Sequence, residues 1–176
     1  IYSDEGSEMV IPAAFHAAAP FGANIGGVNP AFFPLSDGCE FDSWLTIGIT
    51  AGDSAGELSS TGIDFAAWSD AAALPVEAPP VGGSVFYMNP SNGPASGPAG
   101  ADTPIVVAQL TVLAGSEGWA SMGLQGTSTV GEDWQDGGVT WTWSSSFNVS
   151  CDVDAGCVYA DAVLGQERVE ADTCDL

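Results

Sequence analysis

Chemistry in this chain has to come from oxygen. Its 176 residues carry 23 carboxylates against one arginine (Arg168), one histidine (His16) and no lysine, a formal net charge of −22. Such a side-chain set suits Ca2+, which gathers carboxylate, carbonyl and water oxygens and tolerates irregular geometry. Two clusters have the composition: Glu132, Asp133 and Asp136 in GEDWQDGG, and Asp152 with Asp154 in CDVDAGC. Neither follows the D-x-[DN]-x-[DN]-G loop of an EF-hand, and acids grouped in this way are more often simply solvated. Ca2+ is the one cofactor the residues leave open.

Other chemistries are poorly provided for. A Ser-His-Asp or Cys-His group would have to use His16, and no serine stands in a G-x-S-x-G elbow. A lone histidine among Ala and Phe is far more often a packed, hydrogen-bonded side chain than a ligand. One histidine and four cysteines destined for disulfides do not make a standard zinc site. Phosphate loops and dinucleotide fingerprints are missing. Paired carboxylates for glycoside hydrolysis are available, but with 23 acids some pair meets any spacing by chance. Trp134, set among acids, is a candidate to stack on a sugar ring. One of Trp141 and Trp143 could stack in the same way, although tryptophans that alternate along a strand are more often core.

The charge excludes partner classes. Phosphate backbones and anionic membrane surfaces are held by Lys and Arg, so neither nucleic acid nor such a membrane is expected. No apolar run reaches the roughly 18 residues of a spanning helix. Self-repulsion at −22 is largely screened at about 0.5 M salt, where the Debye length falls to about 4 Å. Four cysteines, an N-glycosylation sequon at Asn148 and a first residue, Ile1, that is not Met point to an exported protein, extracellular, at the cell surface or within an organelle lumen. Of the three possible pairings, Cys151 with Cys157 and Cys39 with Cys174 is the first expectation: one closes a tight loop, the other ties the tail to the start of the main strand.

The elements that must position these groups are strands. In 41–50, FDSWLTIGIT, residues Phe41, Ser43, Leu45, Ile47 and Ile49 share one face of a two-residue period. Further strands are expected at 63–68, 84–89, 105–114, 119–130 and 139–149, the last two joined by a hairpin with GEDWQDGG at its tip. Residues 1–11 read as an edge strand stopped by Pro12. The stretch 12–37, rich in Ala, Gly and Pro, is a long loop whose four phenylalanines would pack as a lid. Leu58–Thr61 falls inside a turn-rich connection. The fold expected is all-β: one antiparallel β-sandwich with long loops over 1–150, and a disulfide-tied tail, 151–176, packed on the same domain.

Taken in order, NPAFF, FDSWLTIG, STGIDFAAW and VVAQLTV resemble a set of uncharacterised exported, β-sandwich-like proteins of marine microbes. The likeness spans about 21–126 and rests on core and turn residues, so it implies a fold and carries no activity. The function expected is a non-enzymatic, acidic, exported module. It would serve as a structural or interaction subunit of an extracellular or lumenal assembly, binding protein partners or itself, with Ca2+ as a stiffener. A carbohydrate-binding module is the second reading and a glycan-active hydrolase the third.

Overall fold

With Gly, Pro and Ala interrupting the chain every few residues, the strands before residue 110 are only two to four residues long. The computed structural model describes residues 1–5, 8–94, 105–113, 116–127, 133–143 and, as backbone alone, 157–163 and 166–172. Among these the fold class is all-β: strands and short 3-10 turns, with no α-helix. The strands are β1 (Trp44–Leu45), β2 (Leu58–Thr61), β3 (Ser84–Tyr87), β4 (Ala108–Gln109), β5 (Gly118–Thr127), β6 (Asp133–Trp143), β7 (Cys157–Val163) and β8 (Gln166–Asp172). They pair antiparallel as β1 with β4, β2 with β3, β5 with β6 and β7 with β8. No described helix is long and apolar enough to cross a membrane.

The N-terminal residues tie two of these pairs together. Tyr2 bridges Ser84 on β3 and Gly123 on β5. Its N–H donates to the Gly123 carbonyl at 2.9 Å and its carbonyl accepts from Gly123 N–H at 2.8 Å, while Val85 N–H donates to the Ile1 carbonyl at 3.0 Å. Val10 exchanges both backbone bonds with Ser121 farther along β5. The segment is therefore paired on both sides, which corrects the edge-strand expectation. It is held there by apolar burial: Ile1, Tyr2, Met9 and Ile11 are all buried.

One main core results. Leu45, Val107, Ala108 and Leu110 meet Val85, Ala120, Met122 and Leu124, with Ile11, Phe65, Trp68 and Leu74 among them; Val139, Trp141 and Trp143 pack on from β6. The two tryptophans are thus core residues, as their alternation suggests. A smaller cluster gathers Val28, Cys39 and Trp44 under Phe21 and Phe33. Cys39 is a free thiol with no exposure. It packs as a small hydrophobe; Cys174, its expected partner, lies outside the described residues.

Several elements depart from the two-residue reading. The 41–50 stretch keeps only Trp44–Leu45 as strand, with a 3-10 turn over Cys39–Phe41. Beyond it the Thr46 hydroxyl accepts Ile49 N–H at 3.1 Å and donates to the Ile49 carbonyl at 2.5 Å. Gly48, at φ +82°, turns the chain there. Instead of alternating, residues 42–46 are all buried, because both faces are covered. Within the strand expected at 63–68 begins a 3-10 helix, Phe65–Asp70, started by Asp64, whose carboxylate accepts Ala67 N–H at 3.3 Å. The 105–114 strand shrinks to Ala108–Gln109. The GEDWQDGG stretch is no hairpin tip from Asp133 onward: those residues lie in β6, paired from Thr127↔Asp133, with a register shift between Met122 and Leu124 opposite the Gly137-Gly138 pair. A polar, glycine-bearing stretch can still pair its backbone when a partner strand is supplied. In the tail, β7 and β8 form a hairpin in which Asp161 stands opposite Arg168.

Leu45→Ala, which empties the centre of this core, is expected to lower unfolding free energy by about 2–5 kcal/mol. Leu113→Ala, at a position 85% exposed, should change it by no more than about 0.5 kcal/mol. Urea denaturation at high salt measures both.

Candidate functional site

The N-terminal loop is fastened from beneath by a fully buried carboxylate. Asp42 has no solvent exposure. Its Oδ1 accepts Ala17 N–H at 2.7 Å and its Oδ2 accepts Ala23 N–H at 2.5 Å. His16 Nδ1 lies 2.9 Å from Oδ1, 3.1 Å from the Ser43 carbonyl, and its Nε2 is 3.0 Å from Asn24 Oδ1. Both ring nitrogens thus face oxygens, an arrangement satisfied when both carry protons. The Asp42 carboxylate raises the His16 pKa above its ordinary 6.5, against the opposing effect of burial, with Asn24 and the Ser43 carbonyl adding to the rise. The ring also packs on Trp68, centroid to centroid 5.7 Å.

Ser43 completes the junction without acting as a nucleophile. It is fully buried; its hydroxyl oxygen accepts Thr111 N–H at 2.9 Å and its N–H donates to the Phe15 carbonyl at 3.0 Å. It is the Ser43 carbonyl, not its hydroxyl, that meets His16. Gln109 adds two bonds from Nε2, to the carbonyls of Glu40 at 2.9 Å and Asp42 at 2.8 Å. Serine, histidine and aspartate therefore sit together here as a staple that joins residues 15–17, 23–24, 40–43 and 109–111. The sequence reading of His16 as a packed, hydrogen-bonded residue describes this geometry.

The stapled loop forms one wall of a cleft of about 430 Å3, lined by Phe21, Ile25, Val28, Phe32, Asp53 and Ser54 among others. Gly26 lets the walls meet. A Cβ on it would stand 2.7 Å from Asp53 Cβ, and its φ of +78° disfavours any other residue. Phe21 and Phe32 meet edge to face, 5.9 Å between centroids and 79° between planes. Asp53 is fixed by its turn: Oδ1 accepts Glu57 N–H at 2.9 Å and Oδ2 accepts Leu58 N–H at 2.8 Å. Nearby, burial first and then the charges of Asp53 and Glu57 push the Tyr87 phenol up. Sequence reading marked the phenylalanines as a lid but attached no role to Asp53. The one signal for it was the G-D-S turn just after the 41–50 stretch.

The acids and tryptophan singled out from the sequence lie elsewhere. Asp133 pairs in register with Thr127 and Asp136 with Leu124, an odd offset that places their side chains on opposite faces of the hairpin. Each is engaged locally: Asp133 Oδ1 accepts the Thr127 hydroxyl at 2.9 Å, and Asp136 Oδ1 accepts Gly138 N–H at 3.1 Å. Among the described residues no three His, Cys, Asp or Glu side chains converge as metal ligands. Glu132, Asn148, Cys151, Asp152, Asp154 and Cys174 lie outside the described residues, and Cys157 begins β7. Trp134 is 49% exposed. Its indole lies over Gly126, with Nε1, Cε2 and Cζ2 within 3.0–3.1 Å of where a Cβ would be.

Comparison of the chain with protein-family models, with curated proteins and with solved structures found no match.

The raised His16 pKa has a definite sign. The fold favours the protonated ring, so its contribution to stability is complete below about 6.5 and is lost as pH rises through the elevated folded value. The excess of the native denaturation midpoint over that of His16→Gln should shrink across that window. Parallel curves would contradict this assignment. Because the chain has one histidine, its imidazole resonance can be titrated directly.

Proposed function

We propose that this chain is a non-catalytic, exported interaction module that engages a protein partner through its N-terminal loop. The observation that carries the reading is the 3-10 segment Pro30–Leu35, PAFFPL, in which six successive apolar residues include none that is buried. Phe32 and Leu35 are 37% and 65% exposed. An apolar run left in solvent on a chain of net charge −22 suits a contact that covers it. The loop is not slack: Asn29 caps it by accepting Ala31 N–H at 2.9 Å, and Asp42 anchors its base. A rigid apolar surface loses little conformational entropy on binding.

In this reading the paired segments about the core are the two layers of one antiparallel β-sandwich, with the 151–176 tail packed on it. The acidic surface keeps an exported protein soluble in salty water. Calcium stiffening belongs to the same proposal through Glu132, Asp133 and Asp136 and through Asp152 and Asp154. Carbohydrate binding is the second reading, favoured by the half-exposed indole of Trp134 seated on Gly126, since such a ring can stack on a sugar.

One experiment separates the two. The immobilised domain is exposed to polypeptide and glycan panels at about 0.5 M salt, where long-range charge effects are screened. A protein module should show saturable polypeptide binding that Leu35→Ser weakens about tenfold or more without changing the melting temperature. A glycan module should bind a saccharide and lose it in Trp134→Ala. Turnover of any glycan probe would contradict both.

A further inference from the structure

We propose that the cleft between residues 21–32 and 52–54 is the docking slot for an arginine side chain on a basic protein partner, an assignment that rests on the interaction-module reading above. At about 430 Å3 the cleft falls in the range of ligand pockets, roughly 300–1,000 Å3. Its two walls are chemically different. Ile25, Val28, Phe21 and Phe32 supply apolar surface, the two phenylalanines meeting edge to face. The acid lining the same space is Asp53, a carboxylate.

That carboxylate is prepared for a forked donor. Each oxygen already accepts one backbone N–H, which fixes the plane of the group. A carboxylate has about four acceptor positions in all, so each oxygen keeps a second. A guanidinium donates through two parallel N–H bonds at that spacing. It also stacks on aromatic rings and is more weakly hydrated than an ammonium, so it sheds water at lower cost. Its methylene stem would lie along Val28 and Ile25. Each part of the slot then meets the part of arginine that suits it.

Charge selects the source of that arginine. No residue lining the cleft is basic, and the chain as a whole has one cation against 23 acids. A negative cleft with apolar walls concentrates cations and repels anions. A second copy of this chain would bring another −22 with it and could offer only Arg168. The partner is therefore a different, basic polypeptide.

The test uses the full chain, isotope-labelled, titrated at about 0.5 M salt with a short Gly/Ser peptide carrying one arginine, and with its citrulline and lysine counterparts. Saturable amide shifts confined to residues 21–32 and 52–58 are expected for the arginine peptide. They should be weaker for lysine and absent for citrulline. Affinity should drop about tenfold in both Asp53→Asn and Phe32→Ala, and hold in Glu77→Gln, which removes the same charge from an exposed site outside the cleft. Phe32→Ala keeps every charge and both Asp53 bonds, so a loss there cannot come from an unravelled turn. Shifts spread over the acidic surface, equal weakening by Glu77→Gln, or lysine binding as tightly as arginine would overturn the slot. If a polypeptide from the panel above binds and loses affinity in Leu35→Ser but not in Phe32→Ala, the slot fails and the module reading survives; if none binds, both fail.

Discussion

A single buried carboxylate sets the conditions for the rest of this structure. Removing a charged group from water costs several kcal/mol, and Asp42 has no exposure at all. It can remain there only because donors are brought to it, and they come from residues 16, 17 and 23. The loop that supplies them is thereby wrapped against the start of β1. Ser43 repeats the logic one residue on, binding Phe15 and Thr111 through its N–H and hydroxyl. Loop, first strand and β4 flank are joined by polar contacts that an apolar core could not orient as uniquely.

The cleft inherits its shape from that staple. Phe21 lies between the two alanines whose N–H groups Asp42 holds, so its position follows from theirs. Farther along, Gly26 admits Asp53, and the turn after Asp53 locks its carboxylate. A group buried in the interior thus determines where an aromatic ring and an acid meet at the surface. The apolar Pro30–Leu35 segment extends the same loop, which is why the proposed partner contact is assigned here and not to the acidic hairpin.

Sequence made some of this legible. The β class, the core roles of Trp141 and Trp143 and the satisfied state of His16 all follow from residue type and alternation. What alternation missed has identifiable causes. Residues 42–46 are buried on both faces, so their pattern overstated a one-sided strand. At 63–68 the spacing of Ile63, Phe65 and Ala67 matched a strand, but the Asp64 cap gave a 3-10 turn instead. Leu58–Thr61 carries three polar residues and pairs because β3 is alongside. The N-terminal residues contain too few apolar positions to suggest an inner strand, and their place is fixed by Ser84 and Gly123, far away in sequence. Cys39 is legible only by cysteine count, which carries no sign of its burial in an apolar cluster. The cleft joins residues about 30 positions apart, and periodicity carries no information on such a meeting.

The most direct measurement is amide hydrogen exchange on the native protein and on Asp42→Asn. If Asp42 holds the loop, the amides of Ala17 and Ala23 lose protection in the variant and residues 21–29 open with them, while Tyr2, Val10 and Gly123, paired elsewhere, keep theirs. Unchanged protection at Ala17 and Ala23, with the 21–29 loop still closed, would contradict the account.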